Sequence, residues 1–415
     1  MAPRQRPNTI PPEPAEPPAP DDLEARIVRT GDELLSSLRR VLDRLNGSES
    51  GPQRLARELG VDKVLASRLL KAVRSPDGMT AMHRAPGPEP IRRVLKASLL
   101  AGVPQEEIAA AEAATDAFEQ LIETGTGDRT GLETMLSAWV PEARRDFELR
   151  RKQAAFRAMS QLKGVQTDVF AETAIFWPNK DGEKIDVVWI KCVIGLARLR
   201  PGVAIKFVSK RGVENPTGRH PLTLAGDPVD SVSNTVLPEF CTTPLPRLIA
   251  TVTGEHTHYM VEDTRLIEPV RVVTCEVNIA EIPRYVPSSK GRRAWASSDI
   301  AIPAQAFQFD TLLHPDLYAG AQPDLRVYDT TIHGTADRND PSRDIDQFDL
   351  LDRIDDLGTG LSRFGSSHVP QYRRLIGRVC EHLTLDSTIL RGYRVSSGYP
   401  LYGAQYVMSF PTTER

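Results

Sequence analysis

Lys63, Val64, Ser67, Arg68 and Lys71 recur at three- and four-residue spacing, so a helix through them presents all five on one side. That side carries three cations, a hydroxyl and one branched apolar group, a set suited to the major groove of a DNA duplex. Lys63, Val64, Ser67 and Arg68 are expected toward base edges, and Lys71, Arg74 and Arg54 toward phosphates. Arg68 is the best reader among them, because its planar fork can bond O6 and N7 of one guanine together.

A helix that enters a groove needs a second helix to hold it. The run PQRLARELGVDKVLASRLLKAVR over residues 52–74 supplies the pair. Ala56 is small enough for two helices to cross closely, and Gly60 gives the turn its permissive backbone. Leu55, Leu59, Val61, Leu65 and Leu69 are spaced to close a miniature core, and Asp62 can cap the second helix. Six basic residues face two acidic ones over 51–74, whereas the whole chain carries −3, so the positive charge is local.

The run LARELGVDKVLASRLLKAV resembles the helix-turn-helix of bacterial transcriptional regulators, in particular the winged-helix type of the IclR family. Ala56 and Gly60 match that family's A-x-x-x-G spacing, and Arg68-Leu69-Leu70 match the end of its recognition helix. The likeness covers about two dozen residues. It implies sequence-specific binding of double-stranded DNA, usually as a homodimer on paired half-sites. The stretch SPDGMTAMHRAPG after Arg74 is expected to give one short strand and no returning strand.

The 415 residues suffice for two or three domains, and 40% hydrophobic with 26% charged residues is an ordinary globular composition. The fold class expected is multidomain, α followed by α+β. Residues 1–20 hold eight prolines and read as a disordered tail. Residues 21–102 read as the helical DNA-binding domain, 103–164 as a helical connector or dimerisation region, and 165–415 as an α+β sensing or oligomerisation domain with mainly antiparallel pairing. Thr30 and Glu33 form a possible capping box that restarts the first helix after Gly31. A long helix from Pro141 to Leu162 carries Arg144, Arg145, Arg150, Arg151, Lys152 and Arg157, and is expected to be a solvated connector or a dimer helix. Val169–Trp177, Lys184–Ile194 and Val203–Val208 read as a three-strand meander, with Asp181-Gly182 as its first turn. Asp346–Leu357 and Val369–Leu383 read as helices, and Gly358-Thr359-Gly360 as a helix end.

Other chemistry is sparse. Glu255-His256-Thr257-His258 could place two histidines on one strand face, but no further ligands can be named. Asp337, Asp340, Asp344 and Asp346 lack the spacing and the central glycine of a calcium loop. No nucleophile elbow, phosphate loop or dinucleotide fingerprint occurs. The four cysteines lack C-x-x-C spacing. No catalytic residue, cofactor or metal is therefore expected, and no membrane partner either. The function expected is a cytoplasmic DNA-binding regulator with an unidentified small-molecule or protein effector. The alternatives are an enzyme or a protein scaffold acting through the C-terminal part, with the helix pair structural, or an RNA binder.

Overall fold

The computed structural model describes residues 20–45, 50–211, 221–254, 256–262, 268–285, 292–320 and 322–412. Residues 1–19, which hold most of the proline-rich segment, Glu255 and the other residues between and after these ranges lie outside them. The chain forms two compact units that divide between Phe147 and Glu148.

The first unit is helical: α1 (Pro20–Arg44), α2 (Pro52–Leu59), α3 (Lys63–Val73), α4 (Gly78–Arg84), α5 (Pro88–Leu100), α6 (Gln105–Gln120), a π turn at Leu121–Gly125, α7 (Arg129–Trp139) and the start of α8 (Pro141–Lys163). Each helix carries one apolar stripe and must bury it against others. Ile27, Leu34 and Leu38 of α1, Leu55 of α2, Leu69 of α3, Leu95 of α5, Phe118 of α6 and Leu136 of α7 belong to a single core. The division expected between residues 102 and 103 is therefore absent, because α6 and α7 bury their stripes in the same core as α1.

Two local expectations are corrected here. First, α1 runs unbroken through Gly31. The glycine is there for packing: a Cβ on Gly31 would sit 2.6 Å from the backbone carbon of Gly78 at the start of α4. Second, the segment after Arg74 gives α4 instead of a strand. Asp77 caps it by accepting from the Thr80 N–H at 2.7 Å, and Ala81 and Met82 turn into the core. No strand, and so no wing, lies in this unit among the described residues.

The second unit begins within α8 and holds β1 (Val165–Pro178), β2 (Lys184–Arg198), β3 (Ile205–Arg211), β4 (Leu248–Thr253), β5 (His256–Val261), β6 (Val270–Pro283), β7 (Arg293–Asp299), β8 (Ala304–Leu313), β9 (Asp324–Asp329), β10 (Ile354–Thr359), α9 (Tyr372–His382), β11 (Arg391–Gly398) and β12 (Ala404–Pro411). A six-stranded sheet runs β10-β11-β8-β1-β2-β6, beside two three-stranded sheets, β7-β12-β9 and β3-β5-β4. Among the described residues only β1 and β8 pair in parallel; the other strand pairs are antiparallel. Both faces of the large sheet are covered. Phe170, Phe307 and Val395 pack on the small sheets' Tyr259 and Tyr406, while Ala171, Ile190 and Leu312 pack on Leu375, Ile376 and Val379 of α9. Coverage on both sides explains why Phe170 to Phe176 is buried at every residue.

The β1–β2 hairpin forms at Asp181-Gly182 as expected, but β3 does not extend it. Val188 of β2 pairs instead with Val277 of β6, which fills that edge and leaves β3 to β5. Residues 346–357 are also not a helix. A 3-10 turn covers Pro341–Asp346, and β10 follows because Ile354 pairs with Val395. Gly358 and Gly360, at φ 82° and 94°, close that strand, not a helix. The four cysteines, remote in sequence, meet in the layer between the large sheet and α9. All are free thiols, and burial pushes Cys192 and Cys380 up to about 12.

No helix among the described residues is long and apolar enough to cross a membrane.

Candidate nucleic-acid interface

The α2–α3 pair is built by short-range chemistry. Gly60 takes φ 62°, and its N–H and that of Val61 both bond the Ala56 carbonyl, which ends α2 within one residue. Asp62 then accepts the Leu65 N–H at 2.9 Å and starts α3. Leu65, Ala66, Leu69, Leu70 and Val73 are buried, which fixes the rotation of α3 and leaves the opposite stripe to solvent.

That stripe is the one the sequence indicated. Lys63, Val64, Arg68 and Lys71 are exposed and Ser67 is half-buried, with Arg54 exposed on α2. Val64 is 69% exposed, although every other apolar residue of α3 is buried. Two arginines are partly occupied. Arg68 donates from Nη2 to the Ala85 carbonyl at 3.1 Å, and Arg74 donates to the Ser50 carbonyl at 2.7 Å. Arg74 thus straps the end of α3 to the entry of α2.

Sequence reading missed Arg39. Its Nε and Nη2 reach the Val73 carbonyl at 3.1 and 2.8 Å, and Nη2 also reaches the Ser75 carbonyl at 3.2 Å. The last carbonyls of α3 are all satisfied: Leu70 by the Arg74 N–H, Lys71 by the Ser75 hydroxyl, Ala72 by the Ser75 N–H and Val73 by Arg39. A cation at a helix C-terminus also complements its dipole. Nothing local in the sequence joins residue 39 to residue 73.

The other candidates resolve differently. His256 and His258 share a face of β5 with ring centroids 6.2 Å apart, and Ser209 Oγ lies 3.0 Å from His258 Nδ1. Burial, then Lys206 and His256, pull the His258 pKa below its ordinary value. No group of three or more potential ligands forms among the described residues. The acidic loop is held by arginines: Asp346 by Arg343 at 2.7 Å and Asp344 by Arg326.

Three buried polar clusters in the second unit were not legible either. Lys152 of α8, counted among the basic surface of that helix, is 4% exposed. Its Nζ donates to Glu148 at 3.1 Å, Asp352 at 3.2 Å and Ser397 Oγ at 2.9 Å, so it cannot reach phosphate. Ser397 in turn donates to Asp352 at 3.0 Å. This is the arrangement of an ion pair, not of a base drawing a proton from serine. Asp310 is fully buried; Arg394 grips both its oxygens at 2.8 and 2.7 Å, and the Tyr372 hydroxyl donates at 2.6 Å. Burial raises the Asp310 pKa and these partners oppose the rise. Lys191 meets Glu172 at 2.6 Å, and Ser298 donates to Glu172 at 2.7 Å. Beside them Asp299 is pushed up to about 6 by burial and by Glu172, with Lys191 opposing. These clusters tie β1, β2, β7, β8, β11, α8 and α9 together.

Comparison with protein-family models, curated proteins and solved structures gives no match to this chain.

Proposed function

We propose that the protein is a sequence-specific double-stranded-DNA-binding protein, a transcriptional regulator whose second unit supplies sensing, dimerisation or both. The observation that carries this reading is the solvent-facing stripe Lys63, Val64, Ser67, Arg68 and Lys71 on a short capped helix whose opposite side is buried. An eleven-residue helix of this kind spans about 16 Å, enough to lie along a major groove. Lys63, Val64, Ser67 and Arg68 address base edges; Lys71 and Arg54 address phosphates. Arg74 serves first as a strut through Ser50. The reading includes a cytoplasmic homodimer on paired half-sites, and no wing.

Fluorescence anisotropy of the full chain on a preferred duplex across a salt series tests it. Arg68→Ala should weaken the preferred sequence by about 1–3 kcal/mol, whereas Lys71→Ala should weaken all sequences alike and lower the salt slope by about one. Wild-type affinity and slope in both variants would remove α3 from the interface.

A further inference from the structure

Val64 stands apart on α3. It follows Lys63 in the stripe that continues through Ser67, Arg68 and Lys71, and it is 69% exposed while Leu65, Ala66, Leu69, Leu70, Ala72 and Val73 are all buried. It is the second residue of the helix, directly after the Asp62 cap and Lys63. A β-branched residue there adds no helix propensity and packs no core. Its methyl groups are short, so they can touch a base only if the backbone at the start of α3 comes close. The turn before it permits this: apart from the neighbouring residues of the chain, nothing lies within 4 Å of the space a Cβ would take at Gly60. A recognition helix brings its first residues to base edges. Among the four bases only thymine offers an apolar group in the major groove, its 5-methyl.

We infer that Val64 reads a thymine 5-methyl group, so that each half-site of the target holds an obligatory thymine opposite the start of α3. This rests on the DNA-binding reading above and narrows it. Arg68 complements the contact one helical turn on, from a side chain already steadied by the Ala85 carbonyl. Specificity is then divided between an apolar contact, insensitive to salt, and cationic contacts that weaken as salt rises.

The test removes the methyl and nothing else. The full chain is first used to select a duplex from a random library. Each thymine of the selected duplex is then replaced in turn by deoxyuridine, and binding of wild type and Val64→Ala is compared. One position per half-site should lose about fourfold in affinity with the wild type, the worth of one buried methyl. The same replacement should cost Val64→Ala nothing, and the loss should persist unchanged at higher salt. Because Val64 is exposed, the variant should melt with the wild type, which thermal unfolding checks. A flat uracil scan, or an equal loss in Val64→Ala, overturns the thymine contact while leaving DNA binding intact. Failure to select any duplex overturns the DNA-binding reading and the contact with it.

Discussion

Gly31 and Gly78 meet backbone to backbone where α1 crosses the start of α4. A Cβ on Gly78 would lie 2.3 Å from both the Gly31 carbonyl carbon and the Asp32 nitrogen, and one on Gly31 would lie 2.6 Å from the Gly78 carbonyl carbon. The Gly78 N–H also donates to Asp32 Oδ1 at 3.0 Å. Since α4 follows α3 after four residues, this crossing sets where the α2–α3 pair sits on the core. Gly31→Ala or Gly78→Ala should each cost about 3 kcal/mol, the upper range for overpacking against atoms that cannot yield. Urea unfolding of the full chain measures this, and an unchanged first transition would contradict the close contact.

The end of α3 depends on Arg39. Arg39→Ala leaves the Val73 carbonyl without its charged donor, at a cost of about 1–3 kcal/mol. Amide exchange around residues 70–75 should accelerate while the amides of α9 stay protected. Equal protection in the variant would show that the backbone holds the last turn unaided.

Lys152 lies in the second unit's interior, not on its surface. Lys152→Ala strands the half-buried Glu148 and Asp352 carboxylates, a loss of about 3–5 kcal/mol for a broken buried pair. Denaturant unfolding reads it directly. A loss below about 1 kcal/mol, the range of surface pairs, would return this residue to the solvated face of α8.

Asp299 makes the stability of the second unit depend on pH. Its folded pKa is raised above the ordinary value, so the favourable contribution is present in full below the unfolded pKa and is lost as pH rises through about 6. Asp299→Asn should therefore unfold at a higher temperature than wild type near about pH 8, and at the same temperature near about pH 3.5. A gain that does not change with pH would mean that Asp299 does not carry the titration.

These residues also mark what a sequence can and cannot say. Gly60, Asp62, the apolar spacing of α2 and α3, and the Asp181-Gly182 turn act over a few residues, and each does in the fold what its spacing indicated. The exposed stripe on α3 was legible for the same reason. The rest is long-range. Gly31 resembles a helix break until Gly78 is seen against it, and Lys152 resembles a surface charge until Asp352, two hundred residues on, accepts from it. Strand order is likewise decided by which edge is already filled: β3 lost β2 to β6. The strand β7, RAWASSD, escaped notice because its polar Ser298 is buried by bonding Glu172, which hides the apolar pattern.

The most direct measurement of the central claim is selection from a random duplex-DNA library by the full chain, repeated with a Lys63/Arg68/Lys71→Ala variant of equal thermal stability. The account predicts one enriched motif that the variant fails to enrich, with affinity falling steeply as salt rises. Enrichment that survives in the variant, or no binding by the wild type at low salt, would contradict it and assign the exposed stripe of α3 to another task.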